Sequence, residues 1–119
     1  MKVLLLEPGK IAREAEIEHT LESIQSVVDG IITVVYPFEA PVGVVANDEG
    51  LLLGLPLNRK LSDDVIIAGT CFICGLGEED FTDLPDDLMA HFLQKFYYPQ
   101  VFARIDDKII GVPYDPEEI

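Results

Sequence analysis

Apolar and polar positions change period several times along the chain, and the changes mark its elements. Val3-Leu4-Leu5-Leu6 is a continuous apolar run closed by Glu7-Pro8-Gly9, which reads as a short buried strand and a turn. Ala12 to Glu18 alternates weakly, with Ala15 and Ile17 set among Arg13, Glu14, Glu16 and Glu18, and reads as the hairpin partner of that strand. Leu21, Ile24, Val27 and Val28 recur at helical spacing behind Thr20, whose hydroxyl can cap a helix. Asp29-Gly30 ends that helix, with Gly30 suited to a left-handed cap. Ile31 to Tyr36 is a β-branched strand stopped by Pro37.

Val42 to Ala46 and Leu51 to Leu55 flank Asn47-Asp48-Glu49-Gly50, a pattern that predicts a hairpin with Gly50 in its turn. Pro56 to Leu61 reads as irregular. Val65 to Cys74 is the most apolar and β-branched run and is expected to be one central strand, broken by Gly75-Leu76-Gly77. Asp83 can cap a second helix with Pro85 in its first turn, and Leu88, Met89, Phe92, Leu93 and Phe96 form its apolar face. Val101 to Ile105 and Lys108 to Val112 suggest a small hairpin around Asp106-Asp107. The reading is a single domain over residues 1–114, with a frayed tail at 115–119. Short strands with two inserted helices predict an α+β fold: a small antiparallel or mixed β-sheet with two helices packed on one face.

Charge narrows the partners. The chain of 119 residues holds 22 acids against 8 Lys and Arg, a formal net charge of −14. Residues 1–60 have 9 acids and 5 bases, whereas residues 61–119 have 13 acids and 3 bases. Such a balance repels phosphate backbones and anionic lipids, so no direct nucleic-acid or membrane binding is expected, and a basic protein is the favoured partner. The apolar run at the N-terminus stops at Glu7-Pro8, short of a signal core, and Val65–Leu76 is too short for a membrane span, which needs about 18 residues. A cytoplasmic protein with reduced thiols is expected. The densest acids are Glu78, Glu79, Asp80, Asp83, Asp86 and Asp87, with no base among them. Helical spacing predicts that they form one patch at the start of the second helix, opposite its apolar face, and this patch is the first candidate site.

Candidate chemistry is sparse. Cys71 and Cys74 match the C-x-x-C spacing, but on a strand residues three apart face opposite sides, so packed thiols are expected rather than a redox or zinc site. His19 and His91 have no nucleophile in a recognisable pattern beside them. The turn at Gly75–Gly77 resembles a phosphate cradle, but Glu78-Glu79-Asp80 would repel the phosphate. The acidic run lacks the alternating ligands and central glycine of a calcium loop. No cofactor, metal or catalytic residue is nominated, and the balance leans away from an enzyme. The alternative site is Asn58-Arg59 in a cationic loop, with Tyr36 and Glu39 as neighbours, where a forked hydrogen bond could hold a small molecule or peptide.

Val3-Leu4-Leu5-Leu6-Glu7-Pro8-Gly9-Lys10, Leu21-Glu22-Ser23-Ile24-Gln25 and Val34-Val35-Tyr36-Pro37-Phe38 give the chain a resemblance to the bacterial and phage family described as domain of unknown function 3846. It continues through Asn47-Asp48-Glu49-Gly50, Gly54-Leu55-Pro56-Leu57-Asn58-Arg59 and Ile66-Ile67-Ala68-Gly69-Thr70, so that it spans about residues 1–114. Members often carry a longer polar turn where this chain has only Lys60 to Asp64, and a tighter turn is expected here. The resemblance implies an accessory protein of a phage or mobile element and carries no catalytic residues with it.

Overall fold

In the computed structural model, which describes residues 1–118, the chain runs β1 (Lys2–Leu6), β2 (Arg13–Glu16), α1 (Leu21–Val28), β3 (Ile32–Val35), β4 (Val42–Asn47), β5 (Leu57–Ser62), β6 (Val65–Ala68), β7 (Cys71–Leu76), β8 (Phe81–Thr82), α2 (Asp86–Lys95), β9 (Gln100–Ile105) and β10 (Lys108–Pro113). The main sheet has the order β2-β1-β7-β4-β3, with every neighbouring pair antiparallel. β8 pairs with the far end of β7, beyond the start of β1. β5–β6 and β9–β10 are separate two-stranded ribbons. This is a small α+β fold.

Side chains alternate along a strand, so each central strand feeds two cores. Leu4, Leu6, Val44, Cys71 and Ile73 point to one side, where they meet Met89, Phe92 and Phe96 of α2 and Leu61 and Ile67 of the β5–β6 ribbon. Val3, Leu5, Val45, Phe72 and Cys74 point to the other, against Ile24 and Val28 of α1. The helices therefore lie on opposite faces, which corrects the expectation that both pack on one. A run such as Val3-Leu4-Leu5-Leu6, apolar at every position, is the pattern of a strand buried on both faces, and both need cover.

Thr20 caps α1 as its position predicts, accepting from the Ser23 N–H at 3.1 Å. The left-handed residue at its end is Asp29, at φ 60°, and not the expected Gly30. Asn47 Nδ2 donates to the Val28 and Asp29 carbonyls at 3.2 and 3.1 Å, which satisfies part of the helix terminus. The β9–β10 hairpin turns at Asp106-Asp107 as expected, both at positive φ, the geometry of a tight two-residue turn. In the tail expected to fray, the Glu117 N–H donates to the Asp115 carboxylate at 2.9 Å, and Ile119 lies outside the described residues.

Three strand assignments need correction. Leu51–Leu55 does not pair with β4, because β3 and β7 already occupy both its edges; the chain coils instead through successive turns at Glu49–Gly54. Pro56–Leu61 is not irregular, since Leu57–Ser62 is β5, paired with β6. The long apolar run is two strands, broken at Gly69, whose φ of +85° no ladder residue adopts. Its first part joins the β5–β6 ribbon and its second is the centre of the main sheet.

Candidate functional site

The carboxylates expected at α2 reach their places through β7. Pairing of Gly75 with Thr82 and Leu76 with Phe81 folds the intervening loop back, and the Gly77 N–H donates to the Asp80 carbonyl at 2.8 Å. Glu78, Glu79 and Asp80 occupy that loop. A Cβ at Gly75 would collide with the Asp83 carbonyl oxygen and approach Thr82 Cγ2 at 3.0 Å, so only glycine lets residues 82–83 press against the strand. All six acids are exposed.

Lys2 and His19 hold this edge together. Asp83 Oδ1 accepts from the Lys2 backbone N–H at 2.8 Å, the Leu84 N–H returns to the Lys2 carbonyl at 2.8 Å, and Lys2 Nζ lies 3.5 Å from Asp86. Asp83 is therefore not the helix cap expected of it. Pro85 stands at that position with no side-chain cap, and Asp83 ties β1 to the segment leading into α2. Asp86 and then Glu14 raise the pKa of the Lys2 ammonium, with Glu16 adding to them, so the acidic field continues onto β2. His19 Nε2 sits 3.2 Å from Asp80 Oδ2. The Phe81 N–H, and after it His19, lower the pKa of Asp80. Among the described residues Glu78, Glu79, Asp83 and Asp87 take part in no ion pair.

The alternative site is internal, and its reading as a ligand-binding loop is corrected. Asn58 and Arg59 lie on β5 and are both 0% exposed. Arg59 Nε donates to the Phe96 carbonyl at 2.9 Å, Nη1 to the Glu7 carbonyl at 3.1 Å and to Asn58 Oδ1 at 2.7 Å, and Nη2 to the Lys10 carbonyl at 2.6 Å. Asn58 Nδ2 donates to the Leu6 and Gly69 carbonyls, both at 2.8 Å. Among the described residues the guanidinium has no carboxylate partner. Carbonyl dipoles and the negative end of α2, which closes at Phe96, offset its charge instead. Burial lowers its pKa, with Cys71 and Tyr114 acting in the opposite sense. The cationic fork thus joins β5, the turn after β1 and the end of α2. Tyr36 and Glu39, proposed as its neighbours, are exposed at and beyond the end of β3, and none of these hydrogen bonds reaches them.

The thiols face opposite cores, Cys71 under α2 and Cys74 under α1, as the strand spacing predicts. Burial pushes Cys71 up to about 12 and Cys74 up to about 11, which leaves both protonated and poorly nucleophilic at neutral pH. His91 is exposed on α2, its ring edge-on to Phe92 with centroids 4.9 Å apart. Among the described residues no group of three or more His, Cys, Asp or Glu is placed to hold a metal ion.

Sequence reasoning missed the roles of Lys2 and His19, which lie 84 and 61 positions before their carboxylate partners, so no local signal could reveal them. It also missed an exposed run, Leu51-Leu52-Leu53, because assigning those residues to a strand concealed them. The model of the family described as Domain of unknown function (DUF3846) matches residues 1–97, a span that contains the main sheet and both helices and ends before the β9–β10 ribbon. No curated protein and no solved structure matches the chain.

Proposed function

Because the chain belongs to the DUF3846 family, whose description assigns no activity, we propose from its surface that it is a non-enzymatic accessory protein that docks a basic protein through the carboxylates at the start of α2. The observation that carries this reading is the imbalance at that edge. Six exposed acids stand there with Lys2 and His19 as their partners, and four of the acids, Glu78, Glu79, Asp83 and Asp87, are in no ion pair among the described residues. Exposed charges of one sign steer an opposite partner, raise the association rate and make the complex salt-dependent. The acids form a local patch around one helix start, so the partner would present a compact basic surface and not an extended polyanion-binding groove.

The setting in this reading is the cytoplasm of a bacterium carrying a phage or other mobile element, the setting that the family resemblance implies. No helix among the described residues is long and apolar enough to cross a membrane, which is compatible with it. The alternative, a ligand held by Asn58 and Arg59, loses its support once both side chains are enclosed.

The test compares the wild-type chain with the triple variant Glu78→Gln, Glu79→Gln, Asp87→Asn as baits in a bacterial lysate, at low and at raised salt. These three acids support no internal ion pair, so the variant should fold normally. A basic protein retained at low salt by the wild type, released by salt and absent from the variant is the expected result. Equal retention by both baits would refute the docking role of the patch.

A further inference from the structure

β3 is a four-residue strand that ends the main sheet, and its outer edge is not paired with another strand. The Ile31 carbonyl accepts from the Asp48 N–H at 2.8 Å, which sets the phase of the ladder: Thr33 and Val35 bond inward to β4, while Ile32 and Val34 direct their N–H and C=O groups outward. The strand reads Ile-Thr-Val-Val, without a charge, a proline or a register shift, the devices that blunt exposed edges. All four residues are half-buried, and among the described residues no hydrogen bond reaches the outward N–H and C=O groups of Ile32 and Val34.

Beside that edge runs a groove of about 390 Å³, lined by Thr33 and Val35 of β3, Leu51 and Leu52 of the turn region, and Val65 and Ile66 of β6. Leu51, Leu52 and Leu53 are 64, 87 and 60% exposed, an apolar cluster that a soluble surface rarely leaves uncovered. Asp48 lies on the rim, with Glu49 next to it in the chain, and Asp63 and Asp64 lead into β6; no Lys or Arg lines the groove.

We propose that this edge is a strand-addition site for an extended peptide whose apolar positions alternate with small polar ones between basic ends. Its main chain would pair with Ile32 and Val34, its apolar side chains would fill the groove on the Thr33 and Val35 face, and its basic ends would meet the acids at the groove's margins. A second copy of this chain is disfavoured as the occupant because each carries a net charge of −14. The site lies at the edge of the main sheet opposite β2 and does not rest on the carboxylates of α2.

The probe is a fluorescein-labelled peptide, Lys-Lys-Val-Thr-Val-Thr-Val-Lys-Lys, titrated with the protein by fluorescence polarisation. Val34→Pro removes an outward N–H and no bond to β4, so it should weaken binding at least tenfold, and Leu52→Ser should weaken it about threefold. The Glu78→Gln, Glu79→Gln, Asp87→Asn variant should bind within twofold of the wild type. Two N-methylated analogues, one at the valines and one at the threonines between them, each remove the donors of one peptide edge without touching the protein. One of these edges must face β3, so one analogue should bind at least tenfold more weakly. This keeps the test decisive even if Val34→Pro fails to fold. Undiminished binding of both methylated peptides, equal binding of the glutamate analogue Glu-Glu-Val-Thr-Val-Thr-Val-Glu-Glu, or loss of binding only in the α2 variant would each overturn the proposal. So would a wild-type dimer in sedimentation that Val34→Pro dissolves, since a second copy would then occupy the edge.

Discussion

Replacing Arg59 with Met should remove about 4 kcal/mol of stability, a large share of the roughly 5–15 kcal/mol available to a domain of this kind. The figure follows from the oxygens left behind. The bonds to the Phe96 carbonyl and Asn58 Oδ1 are fully buried, whereas those to the Glu7 and Lys10 carbonyls are partly open to water, which can replace the lost donors. Two orphaned buried acceptors at about 1–3 kcal/mol each bracket the loss, and methionine recovers some packing from the aliphatic stem. Arg59→Lys separates charge from geometry. A single ammonium keeps the charge but cannot reach oxygens on β5, the turn after β1 and the end of α2 together, and it is harder to desolvate than a guanidinium. It should therefore lose about as much as Met. The chain has no tryptophan, so urea unfolding is best followed by far-UV circular dichroism, with an unchanged slope showing that only stability has moved. A loss below about 1 kcal/mol for Arg59→Met, or a lysine variant as stable as the wild type, would refute the argument that the fork is a structural clamp.

Three further outcomes are expected. Iodoacetamide at pH 8 should label neither Cys71 nor Cys74 in the native protein and both in urea, read by mass spectrometry, because each thiol is buried and its pKa is pushed up to about 12 and about 11 respectively; native labelling would contradict the packing. Asp80, lowered from 3.8 by the Phe81 N–H and His19, stabilises the fold above that ordinary value, and the contribution is lost as pH falls through the lower folded pKa. Asp80→Asn should thus flatten the acid limb of urea midpoint against pH, and an unaltered profile would count against the contact. Gly75→Ala should cost about 1–3 kcal/mol by forcing residues 82–83 away from β7, and a melting temperature equal to the wild type would show that the loop yields freely.

The local code of the chain determined much of its secondary structure. Thr20 ahead of the Leu21, Ile24, Val27 and Val28 spacing, the alternation after Gly9, the Asp106-Asp107 turn and the apolar face of α2 are short-range signals, and each element they predict is present. Opposite facing of Cys71 and Cys74 also follows from strand geometry alone. Tertiary structure decided what each element was for. Leu51–Leu55 carries a strand-like composition, yet β4 had no free edge to offer it, and edge occupancy is a property of the whole sheet. Asn58-Arg59 looked like a polar loop because sequence cannot show that carbonyls from two distant segments, the turn after β1 and the end of α2, converge on it and make burial tolerable. The acids near α2 were legible as a charge run, but their anchoring to Lys2 and His19 depended on β1 and β8 lying end to end beside β7. Periodicity reports which side of an element is apolar; which partner covers that side, and which edge stays open, is fixed only when the strands take their order.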